Sequence, residues 1–205
     1  MEKLLKRYLY DYLYLFTLTA VIILIDQVTK GLVRANLQYS ELWSPWEWLM
    51  PYIRIVNWTN SGAAFGMFQG LSGVFSILAI VVAGMIIYYF PQISSKDWAL
   101  RLALGMQLGG ALGNLIDRIR FDGHVTDFIS VGNFPVFNVA DASITVGVAI
   151  LVVGMWVKEQ ELKKQEAAAA SNSHSSELTQ VQNDLTNPDS YSSSTILGGD
   201  KKPDE

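Results

Sequence analysis

The chain has no cysteine. Disulfides, thiolate metal sites and a cysteine nucleophile are therefore all excluded. It has only two histidines, His124 and His174, and His174 lies in a Ser-rich stretch. That leaves no pair for a histidine-built zinc site. It also lacks any excess of positive charge. Residues 1–157 carry ten Lys/Arg against ten Asp/Glu, residues 158–205 five against nine, so the net charge of −4 belongs to the tail. Without a basic field, nucleic acid is not an expected partner.

Apolar surface is abundant. Half of the 205 residues are hydrophobic and the mean hydropathy is positive, which is high for a soluble domain. Four apolar stretches approach the roughly 20 residues that a helix needs to cross a bilayer. They run over about 12–33, 71–90 (stopping at Pro91), 98–116 and 140–157. The first carries Asp26 and Lys30 near its end and no small-residue cleavage site follows it, so it reads as a span and not as a cleavable leader. The expected fold is an all-α membrane protein, a four-transmembrane-helix bundle.

Lys and Arg in the short flanks set its orientation. One side holds Lys3, Lys6, Arg7, Lys96, Arg101, Lys158, Lys163 and Lys164. The other holds Arg34, Arg54, Arg118 and Arg120, with Lys30 near that edge. Both termini are thus predicted to be cytoplasmic, and segments 34–70 and 117–139 to lie outside. Topology then gathers Asp26, Lys30, Asn60, Ser61, Asn114, Asp117, Arg118, Asp127, Asn138 and Asp141 at one membrane surface. Ionisable groups at such depth are costly and usually mark chemistry or transport.

Segment 34–70 holds Tyr39, Trp43, Trp46, Trp48, Tyr52 and Trp58, residues that favour the membrane interface. Within it, 52–58 alternates as a strand does, so a short strand pair or cradle is expected on the membrane. Gly105, Gly109 and Gly113 are spaced for close helix packing. From residue 165 onward the chain is too poor in large apolar residues to fold. This separates a membrane unit, 1–164, from a disordered cytoplasmic tail, 165–205, and helix four could run on through 158–170.

Each polar residue also has a plain structural reading. Asp141 could cap the fourth helix, and Asp127 could pair with Arg118 or Arg120. Asp26 and Lys30, four apart, could form a snorkelling ion pair. Arg118 could pair with Asp117 in solvent, or could organise the site by a forked hydrogen bond. Asn60–Gly66 could be a tight turn, a substrate-facing floor, or both. Two carboxylates and two amides brought to one surface exceed what a cap requires, which favours a functional pair. Adjacent carboxylates can share one proton, the electrostatic basis of aspartic proteolysis.

Five segments carry a resemblance. Ile25-Asp26-Gln27-Val28-Thr29-Lys30, Asn60-Ser61-Gly62-Ala63-Ala64-Phe65-Gly66, Gly113-Asn114-Leu115-Ile116-Asp117-Arg118, Val125-Thr126-Asp127-Phe128 and Phe137-Asn138-Val139-Ala140-Asp141 occur in the order seen in lipoprotein signal peptidases, the type II signal peptidases of bacteria. The resemblance covers roughly residues 8–160. It implies an aspartic endopeptidase of the inner membrane that removes signal peptides from diacylglyceryl-modified prolipoproteins, cutting before the lipidated cysteine. It places the catalytic pair at Asp127 and Asp141. Supporting or substrate-binding roles fall on Asp26, Lys30, Asn60, Gly62, Asn114, Arg118 and Asn138. It further implies a small extracytoplasmic β-cradle with a short, mobile outer helix, and a site at the extracytoplasmic face. Prolipoproteins and membrane lipids would be the partners of a monomer, with no metal or other cofactor. Where the family commonly has Asn-Thr-Gly, this chain has Asn60-Ser61-Gly62, which keeps the hydroxyl.

Two rival classes remain open on sequence: a Ser–Lys membrane peptidase using Ser61 and Lys30, and a proton-coupled transporter or scaffold. Against the second, the polar groups cluster at one surface and no inverted repeat is visible.

Overall fold

The computed structural model describes residues 2–62 and 70–186. The chain divides into two compact units, residues 1–155 and 156–205, and the first contains the whole polar cluster. Its elements are α1 (Glu2–Asn36), β1 (Leu42–Trp43), a short 3-10 helix (Glu47–Leu49), β2 (Ile53–Asn60), α2 (Ser72–Tyr89), a 3-10 turn (Phe90–Gln92), α3 (Trp98–Arg120), β3 (Val125–Val131) and α4 (Val139–Thr186).

Three helical stretches among the described residues are long and apolar enough to cross a membrane: Leu4–Asn36, Ser72–Gln92 and Val139–Ala169. Four were expected, and α3 is the difference. Its 23 residues are long enough, but Arg101, Gln107, Asn114, Asp117, Arg118 and Arg120 dilute its hydropathy. Unlike the other three, α3 buries much of its length, including Arg101, Asn114 and Asp117. The outward apolar residues of the others, such as Leu24, Ile77 and Val152, are exposed. An exposed apolar belt of that extent suits hydrocarbon and not water.

Glycines let α3 sit at the centre. A Cβ at Gly109 would stand 2.7 Å from Ile22 of α1, and one at Gly105 would collide with Leu18. A Cβ at Gly110 would collide with the Ala140 carbonyl, and one at Gly147 would stand 2.9 Å from the Ala103 carbonyl, so α3 and α4 also meet backbone to backbone. The packing role expected for Gly105, Gly109 and Gly113 is what these approaches require.

At the opposite end from the site, Leu15, Ala83, Ile86, Phe90 and Leu108 form a core cluster. Arg101, counted in sequence as a flanking charge, is buried there. Its Nη1 lies 2.6 Å from Asp11 Oδ1, and its guanidinium sits over the Phe90 ring at 4.7 Å.

The three strands form one antiparallel sheet in the order β1-β2-β3. The expected cradle within segment 34–70 is therefore completed by a strand from elsewhere, β3. Between Ile55 and Trp58 the β2–β3 register shifts, as at a bulge. Beyond it Trp58 pairs with Asp127 and Asn60 with Val125. Side chains two apart on a strand share a face, so Asn60 and Asp127 become diagonal neighbours on one face.

α4 runs on through 158–170, as the sequence allowed, and continues as helix to Thr186, where disorder was expected. Its Ala167–Ala170 run favours helix, and no Pro or Gly interrupts it before Pro188. Residues 187–205, the rest of the expected disordered tail, lie outside the described residues. So do Ala63, Ala64, Phe65 and Gly66 of the second segment.

Candidate active site

Asn138 opens the site. It is the N-cap of α4, and Asp141 is three residues on. The Asp141 N–H donates to Asn138 Oδ1 at 3.0 Å, while the Asn138 N–H donates to Asp141 Oδ2 at 3.1 Å. This is a reciprocal cap of the capping-box kind. Asp141 was expected to be the cap itself; the cap is Asn138, and Asp141 is its return partner. That leaves the Asn138 amide free to serve others. Its Nδ2 donates to Asp127 Oδ1 at 2.7 Å.

Asp127 is buried, 2% exposed, on β3. Its second oxygen accepts from Asn60 Nδ2 at 2.9 Å, the diagonal contact that the bulged register permits. Asn60 is held in turn because its Oδ1 accepts from the Gly62 N–H at 2.9 Å. The pairing of Asp127 with Arg118 or Arg120 does not occur: amides bind both carboxylate oxygens instead. Burial and the neighbouring Asp141 charge push the Asp127 carboxyl up to about 7, against the opposing pull of the Asn60 and Asn138 hydrogen bonds and of Lys30.

Asn114 of α3 joins the two halves. Its Nδ2 donates to Asp141 Oδ1 at 2.7 Å, and its Oδ1 accepts from Lys30 Nζ at 2.9 Å and from Asn138 Nδ2 at 3.1 Å. Two donors on Oδ1 fix which way the amide faces, so Nδ2 must point at Asp141.

Beneath this lies a buried charge cluster. Lys30 Nζ is 2.9 Å from Asp26 Oδ2 and 3.3 Å from Asp117 Oδ2, and all three side chains are fully buried. The Asp26–Lys30 pair thus forms as spaced, but it is buried and does not snorkel. Asp26 Oδ1 also accepts the Ala140 N–H at 3.0 Å, closing another open donor at the start of α4 from a different helix. Gly113 makes room for this, since a Cβ there would stand 2.8 Å from Asp26 Oδ2.

Asp117 does not pair with Arg118. It meets Lys30 and, more distantly, Arg34 Nη1 at 3.8 Å, and it accepts the Thr126 N–H at 3.0 Å. Gln27 Nε2 lies 3.0 Å from Asp117 Oδ1 and 3.1 Å from the Gly113 carbonyl. Sequence reasoning brought Asp117 to this surface but gave it the wrong partner, and it gave Gln27, Arg34 and Thr126 no role in the site. The available signal was the i,i+4 run of Asp26, Lys30 and Arg34 on one face of α1, which demands a second acid from elsewhere.

Arg118 lines the cavity with its guanidinium over the Phe75 ring at 5.6 Å. It is within coulombic range of Asp141 and Asp127, but among the described residues it forms no side-chain hydrogen bond. The forked bond suggested for it is not made among the described residues.

The cavity holds about 660 Å³. Asp127, Asp141, Asn60, Asn114 and Arg118 stand at one part of its wall. The rest is largely apolar, with Phe75, Leu78, Val82, Ile144 and Val146 among its residues. A water-accessible carboxylate pair opening on an apolar trough can hydrolyse a bond in an amphipathic substrate. The arrangement disfavours the Ser–Lys alternative, because Lys30 Nζ is engaged by Asp26, Asn114 and Asp117.

A family described as Signal peptidase (SPase) II matches residues 18–157. The chain is 39% identical over 160 residues to the lipoprotein signal peptidase of Anoxybacillus flavithermus, covering 76% of this chain and 93% of the relative. It is 39% identical over 157 residues to that of Halalkalibacterium halodurans, covering 75% and 98%. A solved structure described as a bacterial membrane enzyme at 2.3 Å resolution is similar at a TM-score of 0.65 and 28% identity, over 71% of this chain and 88% of that one. Fold and site together define a membrane-embedded aspartic peptidase. The chain belongs to the signal peptidase II family, and it is a hydrolase of the bacterial membrane.

Proposed function

We propose that this chain removes signal peptides from prolipoproteins whose cysteine carries diacylglycerol, cutting just before that cysteine, with Asp127 and Asp141 as its catalytic pair. The observation that carries the reading is that both carboxylates open on one cavity and share Asn138 as partner. Between them the pair holds one proton, because burial and mutual repulsion oppose double ionisation.

The ionised carboxylate takes a proton from a water as that water attacks the scissile carbonyl carbon. The protonated one gives its proton to the carbonyl oxygen, stabilising the charge that develops there. A tetrahedral diol results. The C–N bond then breaks, the amine nitrogen gains a proton from the dyad, and the products are a peptide carboxyl and a free cysteine amine. Asn60, Asn114 and Asn138 hold the carboxylates in place. Gly62 holds Asn60, and Asp26 with Lys30 holds the start of α4 and Asn114. Arg118, which lines the cavity, binds the substrate backbone or glyceryl ester.

In this reading α3 is a fourth span, shielded from lipid by its neighbours. Both termini are cytoplasmic, the site faces the extracytoplasmic side, the membrane unit ends near residue 164, and the enzyme acts as a monomer. The acyl chains lie along the apolar wall and hold the cysteine at the surface. The experiment is cleavage of a diacylglyceryl-modified prolipoprotein in liposomes beside its unlipidated precursor. The reading requires cleavage of the lipidated form alone; equal cleavage of both would remove the lipid requirement.

A further inference from the structure

One polar group of the cavity wall has no place in the chemistry above. Gln107 stands on α3 seven residues before Asn114, which is two helical turns, or about 10 Å, deeper along the trough. Leu78, Val82, Ala111 and Val146 share the wall with it; of the polar residues there, Thr145 spends its hydroxyl on the Asp141 carbonyl. Its Nε2 is sequestered from solvent and has no hydrogen-bond partner among the described residues. Gly147 gives it space, since a Cβ there would press on Gln107 Cγ at 3.2 Å. A buried amide donor left unpaired is destabilising, and in hydrocarbon surroundings no water corrects it. An apolar residue would line the trough better unless something that binds there supplies the missing acceptor.

We infer that Gln107 is a substrate-binding residue whose carboxamide donates to a backbone carbonyl of the signal peptide, about three residues upstream of the cut. The inference rests on the peptidase reading, which lays the signal peptide down the trough from the dyad toward the cytoplasmic end. An extended chain advances about 3.3 Å per residue, so the 10 Å between Asn114 and Gln107 corresponds to about three residues. Extended backbone near the cut has carbonyls that no helix satisfies, and hydrocarbon cannot satisfy them either. The terminal torsion of a glutamine is soft, so Nε2 can swing from its sequestered position to the bound peptide. Each partner resolves an unmet need of the other.

The test compares wild type with Gln107→Leu and Gln107→Met, two apolar shapes of similar reach, on a synthetic lipidated substrate. KM is expected to rise roughly three- to tenfold, the worth of one net hydrogen bond, with kcat unchanged. Thermal unfolding in detergent should be unchanged or raised, because an unpaired donor has been removed. A second substrate carries a backbone ester in place of the amide at the third upstream position, which weakens that carbonyl as an acceptor. Wild type should lose affinity for it, and the two variants should not.

Unchanged KM in both folded variants would overturn the inference and leave the peptidase reading intact. So would an equal effect of the backbone ester on wild type and variants, or a loss that vanishes only when the lipid esters are replaced by ethers, which would move the contact to the lipid. Failure of wild type to cleave at all would instead remove the reading beneath it.

Discussion

Asn138 and Asp141 hold each other across the first turn of α4, each donating its backbone N–H to the other's side chain, at 3.1 Å and 3.0 Å. The bond that starts the helix is therefore also the one that aims the Asp141 carboxylate. Asn138→Ala removes this cap and the amide on Asp127 together. Loss of an N-cap costs about 1 kcal/mol, and the Asp127 contact adds to it. Thermal unfolding in detergent should fall by several degrees, while cleavage should fall far more than the unfolding curve accounts for at the assay temperature.

The acidity of Asp127 gives a pH prediction. With its carboxyl near 7, the singly protonated dyad is depleted above neutrality, and cleavage should decline on an alkaline limb close to pH 7. The Asn60 hydrogen bond favours the ionised form, so Asn60→Ala should move that limb upward. For stability the sign is the reverse of a salt-bridged carboxylate. The folded state keeps a proton that the unfolded state releases near pH 4, so this group makes the fold less stable as pH rises from about 4 to about 7, and adds no further slope above. Asp127→Asn should remove that part of the pH dependence of unfolding.

Gly113 is predicted to tolerate nothing larger. Gly113→Ala would bring a methyl to within 2.8 Å of Asp26 Oδ2, and Asp26 caps Ala140. At Gly109 the nearest atoms that Gly109→Ala would meet belong to the Ile22 side chain. Overpacking of this kind costs roughly 1–3 kcal/mol at either position. At Gly113 the displaced group is connected to the dyad, so activity per folded molecule should drop there and hold at Gly109.

Lys30 sits between two buried carboxylates, Asp26 and Asp117. Lys30→Met should destabilise by roughly 3–5 kcal/mol, the cost of stranding buried charge. Adding Asp26→Asn to Lys30→Met should recover part of that loss, which a thermal melt of the two variants would read. Ser61→Ala should cleave close to the wild-type rate; its inactivity would revive the Ser–Lys alternative.

Much of this site was legible in the sequence because its residues lie in short segments at the ends of apolar runs, where hydropathy alone brings them to one surface. Asp127, Asp141, Asn60, Asn114 and Asn138 could be placed that way. Their partners could not. The Asn60–Asp127 contact depends on a register shift in β2, and β3 pairs across more than sixty residues of chain. Arg101 reads as a flanking charge and Asp117 as a partner of Arg118, because local sequence cannot show that Asp11 and Lys30 await them from another helix. The polar groups that build the site also pull α3 below the hydropathy of a span, so the central helix does not stand out by composition as the other three do. The helical run through 165–186 follows from its alanines and uninterrupted helix formers, which an argument from missing core residues overlooks.

The central claim is that Asp127 and Asp141 carry the chemistry as a pair. Its most direct test is single-turnover cleavage of a lipidated prolipoprotein by Asp127→Asn and Asp141→Asn, each checked for insertion and for a wild-type-like melt. The account predicts that both are folded and that cleavage by each falls by several orders of magnitude. Retention of near-wild-type cleavage by either folded variant would contradict it.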